Sequence, residues 1–223
     1  MKIANLLLRV FNNLPLPTYP YRMYMHRHRC IFIHIPKCAG SSILEALGHT
    51  GGRDHVEWRH YQGANPKWFK HYFKFAICRH PLERLKSGYE YVIKGGNGSN
   101  QDLELQRYVK EHCEDFIDFV QTVLDHAFIS ENILFKPQYL FVFNREGKCQ
   151  ADSILRYEQL EQDWVKMAAS KGYPQTLEKI NTGHQPAKDL NKLTESLSVD
   201  ALNKVENLYH KDFVYFKYPL VNQ

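Results

Sequence analysis

The chain has 223 residues, of which 43% are hydrophobic and 24% are charged, an ordinary composition for one soluble globular domain. We therefore predict a single domain over residues 1–223. Lys and Arg outnumber Asp and Glu by 29 to 24, which favours an anionic ligand but is too small an excess to indicate nucleic acid. The five cysteines include no C-x-x-C pair, which argues against a disulfide framework or zinc knuckle and favours a cytoplasmic location.

Residues 1–25 are predicted as an N-terminal helix and a connecting segment. The apolar cluster at residues 6–8, 10 and 11 is far shorter than the about 20 residues that span a bilayer, so no transmembrane span is expected. Lys2 and Arg9 flank this cluster. The helix is expected to dock on the protein's own core, and the alternative is peripheral contact with a membrane surface.

Two strand-to-helix units follow along the chain. Residues 31–35 are a β-branched and aromatic run that Pro36 ends, and residues 73–78 predict a second strand. After the first strand, Ser41 offers a helix cap and Gly48 a stop. After the second strand, a proline suits the first turn of a helix that runs towards residue 94. Two such units predict an α/β fold class, with a central parallel sheet flanked by helices on both faces.

The remainder of the chain predicts further helices and strands. Residues 95–100 are a Gly-rich loop that is not expected to divide domains. Helical patterning covers residues 101–112 and 114–124, and the second of these segments carries an apolar stripe that we assign to the core. This stripe consists of Phe116, Phe119, Val120 and Val123. We predict two more strands at residues 139–143 and 153–157, and two more helices at residues 160–169 and 199–209.

The loop between the first strand and its helix has the chemistry of an anion cradle; it reads Pro36-Lys37-Cys38-Ala39-Gly40-Ser41-Ser42. Small residues let the backbone approach a ligand, Lys37 adds a full charge, and two hydroxyls add donors where the helix starts. A Walker A loop reads G-x-x-x-x-G-K-[ST], whereas Lys37 precedes Gly40 here and no glycine begins the loop. This departure weakens an alternative function as a nucleotide kinase or NTPase.

The same loop resembles the 5'-phosphosulfate loop of carbohydrate sulfotransferases that use 3'-phosphoadenosine 5'-phosphosulfate (PAPS). Members similar to heparan sulfate 2-O and 6-O sulfotransferases, and small bacterial polysaccharide sulfotransferases, carry the pattern P-K-x-x-[GS]-[ST]-[ST]. The resemblance implies a P-loop-like sulfotransferase fold, PAPS as co-substrate and no metal. It also implies that the loop binds the 5'-phosphosulfate, with Lys37 beside the bridging oxygen. Many members have Thr or Ser at the position of Cys38, so one hydroxyl donor is missing here.

A second motif resembles the family's 3'-phosphate site. Residues 77–89 place Arg79 at a strand end and Ser87 two turns into the following helix. The planar fork of Arg holds two phosphate oxygens, and a Ser hydroxyl adds a small donor. The run is similar to the pattern R-[HDN]-P-x-x-R-[LY]-x-S, which implies that Arg79 and Ser87 bind the 3'-phosphate. Arg84 also matches, and a structural role for it stays open.

Looser landmarks extend the resemblance through nearly the whole chain. They include residues 136–140, residues 154–160 with Asp163, residues 181–184, and residues 209–213 with Phe216 and Tyr218. Residues 181–184 match the loop that covers the nucleotide in similar enzymes, which implies that Thr182 contacts the cofactor where Ser is usual.

Sulfuryl transfer resembles phosphoryl transfer, an in-line displacement in which the acceptor hydroxyl must lose a proton to a general base. Similar enzymes place a catalytic His between the two phosphate motifs. His55 matches that position best, His60 is the second choice and Glu57 the third. The pattern of His26, His28 and Cys30 along one possible strand face lacks the spacing of four metal ligands, so no metal site is predicted there.

The acceptor is expected to be a glycan or another molecule that bears a hydroxyl group, and no nucleic-acid partner is expected. Cations and aromatic faces suit such an acceptor, although aromatic residues in these numbers are more often core. The candidates are Arg53, Arg59, Lys67, Trp58 and Trp68. A second alternative function is a nucleotide- or glycan-binding module that lacks catalysis.

Overall fold

The computed structural model describes residues 19–177 and 186–220, with the side chains of residues 186–189 excepted. Most of the predicted N-terminal segment and the predicted nucleotide-covering loop at residues 181–184 lie outside the described residues. The described residues form two compact units, one made of residues 19–78 and 140–177 and the other of residues 79–139 and 186–220. The single domain over residues 1–223 stays a prediction.

The described residues contain three strands and a series of mostly short helices. The strands are β1 (Cys30–Ile33), β2 (Phe73–Cys78) and β3 (Ser153–Arg156). The α-helices are α1 (Met23–His28), α2 (Gly40–Ala46), α3 (Trp58–Ala64), α4 (Pro66–His71), α5 (Pro81–Ile93), α6 (Asn100–His112), α7 (Phe116–Asp118), α8 (His126–Glu131), α9 (Tyr139–Val142), α10 (Leu160–Lys171), α11 (Pro186–Ser196), α12 (Val199–Leu208) and α13 (His210–Phe216). A π-helix spans Phe119–Val123 and a 3-10 helix spans Tyr157–Gln159.

The first unit is built on a three-stranded sheet in the order β1-β2-β3, and both strand pairs are parallel. Ile33 pairs with Ala76, so β1 and β2 end at the same edge of the sheet. All four residues of β1 are buried, as expected of a strand covered on both faces. Helix α1 packs on β1 and helix α10 packs on β3. The predicted α/β class, with a parallel sheet flanked by helices, is confirmed.

The predicted strand at residues 139–143 is wrong, because Tyr139–Val142 form the short helix α9. A short apolar run does not distinguish strand from helix by its periodicity, and its β-branched and aromatic residues favoured the strand. The backbone N–H of Tyr139 donates to the carboxylate of Asp212 at 2.8 Å, so it is bound by a side chain and not by a sheet ladder.

The second unit is helical, and its core is rich in phenylalanine. The predicted apolar stripe is confirmed as core, since all four of its residues are buried. The ring of Phe119 lies 5.4 Å from Phe135 and 5.5 Å from Phe128. The predicted helix over residues 114–124 is divided into α7 and the π-helix, whose wider turn keeps the stripe on the buried side.

Candidate active site

The loop that follows β1 carries the first group of predicted site residues. Lys37 and Ala39 adopt the left-handed conformation, with φ of 66° and 56°. This conformation costs a residue with a Cβ about 1–2 kcal/mol, so the surrounding structure must hold the loop in this shape. Helix α2 begins at Gly40, and its N-cap residue is Ala39. The predicted Ser41 cap is therefore wrong, because the left-handed turn starts the helix before the chain reaches Ser41.

The remaining residues of the loop face different surroundings. Ser41 is exposed in the first turn of α2, whereas Ser42 and Pro36 are buried. Cys38 is only 1% exposed, and its thiol donates to the carbonyl oxygen of Pro36 at 3.5 Å. Its side chain therefore packs in the interior, so the loss of a hydroxyl at this position does not remove a donor from the loop surface.

The start of α2 is packed directly against a buried histidine. His34 is 4% exposed and follows β1 by one residue. A Cβ built on Gly40 would overlap the His34 imidazole ring. The loop can therefore enter α2 in this position only because residue 40 has no side chain, and the His34 ring packs directly against Gly40.

We expect Gly40→Ala to lower the free energy of unfolding by about 2 kcal/mol, because the new methyl group must displace a buried ring. Gly63→Ala is the matched control, since Gly63 lies in helix α3 with open space around it. The control should be neutral or stabilising by about 0.5 kcal/mol, as Ala favours a helix over Gly. Urea denaturation measures both, and equal changes in the two variants would contradict the close packing of Gly40 on His34.

His55, the predicted base, lies beside this loop in the same unit. Its Nδ1 is 3.2 Å from the carbonyl oxygen of His34, and the two imidazole rings are 4.3 Å apart. A carbonyl oxygen accepts only, so Nδ1 carries the proton, and Nε2 of the neutral ring is left as the acceptor. Burial lowers the pKa of His55, and this effect outweighs the hydrogen bond to His34, which raises the pKa. His55 is therefore neutral at pH 7, the state that a general base requires.

The segment that carries His55 is held by ion pairs. Asp54 pairs with Arg22 at 2.7 Å, and both side chains are largely buried. Glu57 pairs with Arg59 at 2.8 Å, and Arg59 is 60% exposed. Glu57, the third choice of base, is thus engaged by a cation, whereas His60, the second choice, is an exposed residue of helix α3.

In the second unit, Arg79 is held at its backbone and at its side chain. The amide of Gln138 binds both backbone groups of Arg79, accepting from the N–H at 2.9 Å and donating to the carbonyl oxygen at 2.8 Å. The guanidinium Nε lies 3.4 Å from Glu83 Oε2, and both side chains are buried. The orientation of Arg79 is therefore fixed by residues that the motif analysis did not single out for it.

Helix α5 carries Arg84 and Ser87, the other two residues of the second motif. Ser87 lies four residues after Glu83, so the two share one face of the helix, and Glu83 contacts Arg79. Ser87, which is half-buried, therefore lies on the Arg79 side of α5. Arg84 is buried and donates to the carbonyl oxygens of Leu134, Phe135 and Lys136 at 3.0, 3.4 and 2.7 Å. Arg84 thus has the structural role that the sequence left open.

His80, next to Arg79, packs edge-on against the rings of Phe213 and Tyr218 at 5.5 and 5.3 Å. Burial, and then the charge of Arg79, lowers the pKa of His80 from its ordinary 6.5 to about 4. Between these values the unfolded chain binds a proton that the folded chain does not, so stability falls as the pH falls through this window.

We expect the wild-type protein to lose about 2 kcal/mol more stability than His80→Asn between pH 7 and pH 4.5. Asn is allowed at this position of the motif and does not titrate. His126→Gln, at an exposed position of the same unit, should retain the wild-type loss. Urea denaturation at both pH values measures the difference, and a parallel pH dependence of His80→Asn and wild type would show that His80 is not buried as a neutral ring.

The other predicted residues are placed as follows. Thr182 lies outside the described residues. Trp68 packs against Tyr21 at 5.1 Å and His26 at 4.5 Å, and Trp58 donates from Nε1 to the carbonyl oxygen of Phe143 at 3.1 Å. Arg53 and Lys67 are exposed. The two tryptophans therefore contribute to packing within their unit, and exposed cations remain candidates for acceptor binding.

The possible metal ligands are engaged separately. His26 Nδ1 lies 2.9 Å from the hydroxyl of Tyr72, His28 Nε2 lies 3.1 Å from the carbonyl oxygen of Leu47, and Cys30 is buried in β1. Because His26 and His28 are in helix α1, the strand alternation considered for them does not exist. Within residues 19–177 and 186–220, no cluster of three His, Cys, Asp or Glu residues suits a metal ion. The same residues include no helix long and apolar enough to cross a membrane.

Group transfer requires a cation near the leaving group and a base near the acceptor. In the first unit the loop after β1 carries the cation Lys37, and His55, the candidate base, is hydrogen-bonded to the carbonyl oxygen of His34 just before that loop. The family model described as "Sulfotransferase family" matches residues 22–219, and the chain belongs to this family. No curated protein and no solved structure matches the chain. The sulfotransferase assignment made from the two motifs is thereby confirmed.

Proposed function

We propose that this sulfotransferase moves the sulfuryl group of PAPS to a hydroxyl group of a carbohydrate or polysaccharide acceptor by in-line displacement. In this proposal the loop of residues 36–42 binds the 5'-phosphosulfate, and Lys37 stabilises the leaving oxygen. Arg79 and Ser87 bind the 3'-phosphate, and Thr182 belongs to the loop that covers the nucleotide. His55 is the general base.

The observation that carries the proposal is the hydrogen bond that holds His55 beside the start of the loop. His55 donates a hydrogen bond to the carbonyl oxygen of His34, and the His34 ring packs against Gly40 in the loop. Lys37 follows His34 by three residues, so the cation and the base are both joined to the end of β1 within one unit. A base and a cation held together are what an acceptor hydroxyl and a departing phosphate oxygen require.

The chemical step then follows from these two side chains. Nε2 of His55 accepts the proton of the acceptor hydroxyl group while the hydroxyl oxygen forms a bond to the sulfur of PAPS. The bond between sulfur and the 5'-phosphate oxygen breaks on the opposite side, and that oxygen keeps the electron pair. Lys37 stabilises the negative charge that grows there. The products are the sulfate ester and 3',5'-ADP, and His55 is left protonated until it returns the proton to water.

The carbohydrate acceptor is proposed from the resemblance to polysaccharide sulfotransferases and from the charge of the surface near the base. Arg53 and Arg59 flank the His55 segment and are exposed. Exposed guanidinium groups suit an acceptor that carries carboxylate or sulfate groups, because each fork binds two oxygens. An acidic polysaccharide is therefore the preferred acceptor class.

Transfer of labelled sulfate tests this function directly. The purified protein is incubated with [35S]PAPS and a panel of acidic, neutral and chemically desulfated polysaccharides, with proteins and small phenols as non-carbohydrate acceptors, and the incorporated label is measured. The proposal predicts labelling of at least one polysaccharide, with greater incorporation into acidic members. Binding of 3',5'-ADP without label in any polysaccharide, protein or small phenol would support the inactive binding module instead. Label in a non-carbohydrate acceptor only would reject the acceptor class and retain the reaction.

A further inference from the structure

The residue that holds the backbone of Arg79 is a buried glutamine from a distant part of the chain. Gln138 is 0% exposed and lies 59 residues from Arg79 in sequence. Its Oε1 accepts from the Arg79 N–H at 2.9 Å, and its Nε2 donates to the Arg79 carbonyl oxygen at 2.8 Å. The amide thus satisfies both backbone groups where β2 has ended, so the position of the Arg79 Cα depends on where Gln138 lies.

Gln138 is itself fixed by a buried carboxylate. Asp212, on helix α13, is 0% exposed and accepts from two successive backbone N–H groups. Its Oδ2 binds the N–H of Gln138 and its Oδ1 binds the N–H of Tyr139, each at 2.8 Å. Charge-assisted hydrogen bonds of this kind are short and strong, so the backbone at Gln138 has little freedom to move.

The side chain of Arg79 is oriented by a second contact, with Glu83. The guanidinium Nε faces Glu83 Oε2 at 3.4 Å, and Glu83 lies in the first turn of the helix that follows Arg79. An arginine that grips a phosphate with two nitrogens must be placed to within about 0.5 Å, because both hydrogen bonds depend on one planar geometry. Backbone placement by Gln138 and side-chain orientation by Glu83 together meet this requirement.

We propose that Gln138, held by Asp212, is a positioning residue that sets Arg79 for the 3'-phosphate and gives the enzyme its selectivity for 3'-phosphorylated nucleotides. This inference rests on the proposed function, since it takes Arg79 as the ligand of the 3'-phosphate. If Gln138 has a structural role alone, its substitution should lower stability and reduce the affinity for all nucleotides equally. If Gln138 positions Arg79, its substitution should reduce the affinity only for nucleotides that carry the 3'-phosphate.

The test compares 3',5'-ADP with 5'-AMP, which lacks the 3'-phosphate, by calorimetric titration of the full chain. Gln138→Met has similar volume and makes neither bond to Arg79. Gln138→Asn keeps the amide and its neutral charge but shortens the side chain by one methylene, which draws the amide away from the backbone of Arg79. Gln101→Met, at an exposed position of helix α6, is the matched control. Circular dichroism checks that each variant is folded.

We expect Gln138→Met to weaken 3',5'-ADP binding by on the order of tenfold to a hundredfold and to leave 5'-AMP binding within about twofold of wild type. Gln138→Asn should lie between Gln138→Met and wild type, and it provides the test if Gln138→Met does not fold. An unchanged ratio of the two affinities in a folded Gln138 variant would overturn the positioning role and leave the proposed function standing. No preference of the wild-type protein for 3',5'-ADP would instead overturn the assignment of Arg79, and this inference with it.

Discussion

Lys37→Ala is expected to lower the rate of sulfuryl transfer by about 10²- to 10³-fold, the usual effect of removing one preorganised group from a developing oxyanion. Lys37 is the cation of the loop that follows β1, and its charge acts on His55 in the same unit. The fold should persist, because Ala and Lys are equally disfavoured at a φ of 66°. Steady-state transfer of labelled sulfate measures the loss.

Two further measurements separate a catalytic role of Lys37 from a change in the fold. Lys70→Ala removes an exposed cation from helix α4 that is not among the acceptor-binding candidates, and it should leave the rate unchanged. The free energy of unfolding of Lys37→Ala should stay within about 0.5 kcal/mol of wild type, as for most substitutions of partly exposed residues. Full transfer activity in folded Lys37→Ala would remove Lys37 from the mechanism.

His55→Ala is expected to reduce turnover by about 10²- to 10⁴-fold, the range that a positioned general base contributes. The affinity for 3',5'-ADP should change little, because His55 is assigned to the acceptor hydroxyl and not to the nucleotide. His60→Ala, which removes an exposed histidine of helix α3, is the matched control and should retain activity. Loss of turnover in His60→Ala with normal turnover in His55→Ala would transfer the role to His60.

The pH profile gives a second test of His55. Because its pKa is lowered, chiefly by burial, His55 keeps its base form to a lower pH than an ordinary histidine. Turnover of the wild-type enzyme should therefore fall only below pH about 6.5. Residual turnover of His55→Ala should lack this acidic limb. An acidic limb of the same midpoint in both proteins would show that another group titrates.

The predictable part of the structure is the part that local patterns determine. The strand at residues 73–78 is apolar and aromatic except for Lys74, and Pro81 begins the next helix at the position where its missing N–H is harmless. These signals lie within a few residues of the elements that they predict. The sequence therefore correctly predicted that Arg79 follows a strand and that Ser87 lies on the next helix.

The features that sequence reasoning missed depend on contacts between distant residues. Asp212 binds the backbone at Gln138 across 74 residues, and nothing in either local sequence indicates this pairing. The other carboxylate oxygen of Asp212 accepts from the N–H of Tyr139, where a helix and not the predicted strand begins. The only available signal for Gln138 was its place in residues 136–140, one of the looser segments of the family resemblance.

The loop after β1 illustrates a different difficulty. Left-handed Lys37 and Ala39 move the helix start to Gly40, whereas a serine at position 41 is the ordinary sign of a cap. Non-glycine residues rarely adopt this conformation, so residue type alone predicts against it. The helix then starts at Gly40 in close contact with the His34 ring, and this contact depends on tertiary placement.

The most direct measurement is a calorimetric titration of the unmodified protein with 3',5'-ADP and, separately, with ATP and magnesium. A sulfotransferase that uses PAPS binds 3',5'-ADP tightly without magnesium and binds ATP at least tenfold more weakly, since ATP lacks the 3'-phosphate. Magnesium-dependent binding of ATP in preference to 3',5'-ADP would contradict PAPS as the sulfuryl donor.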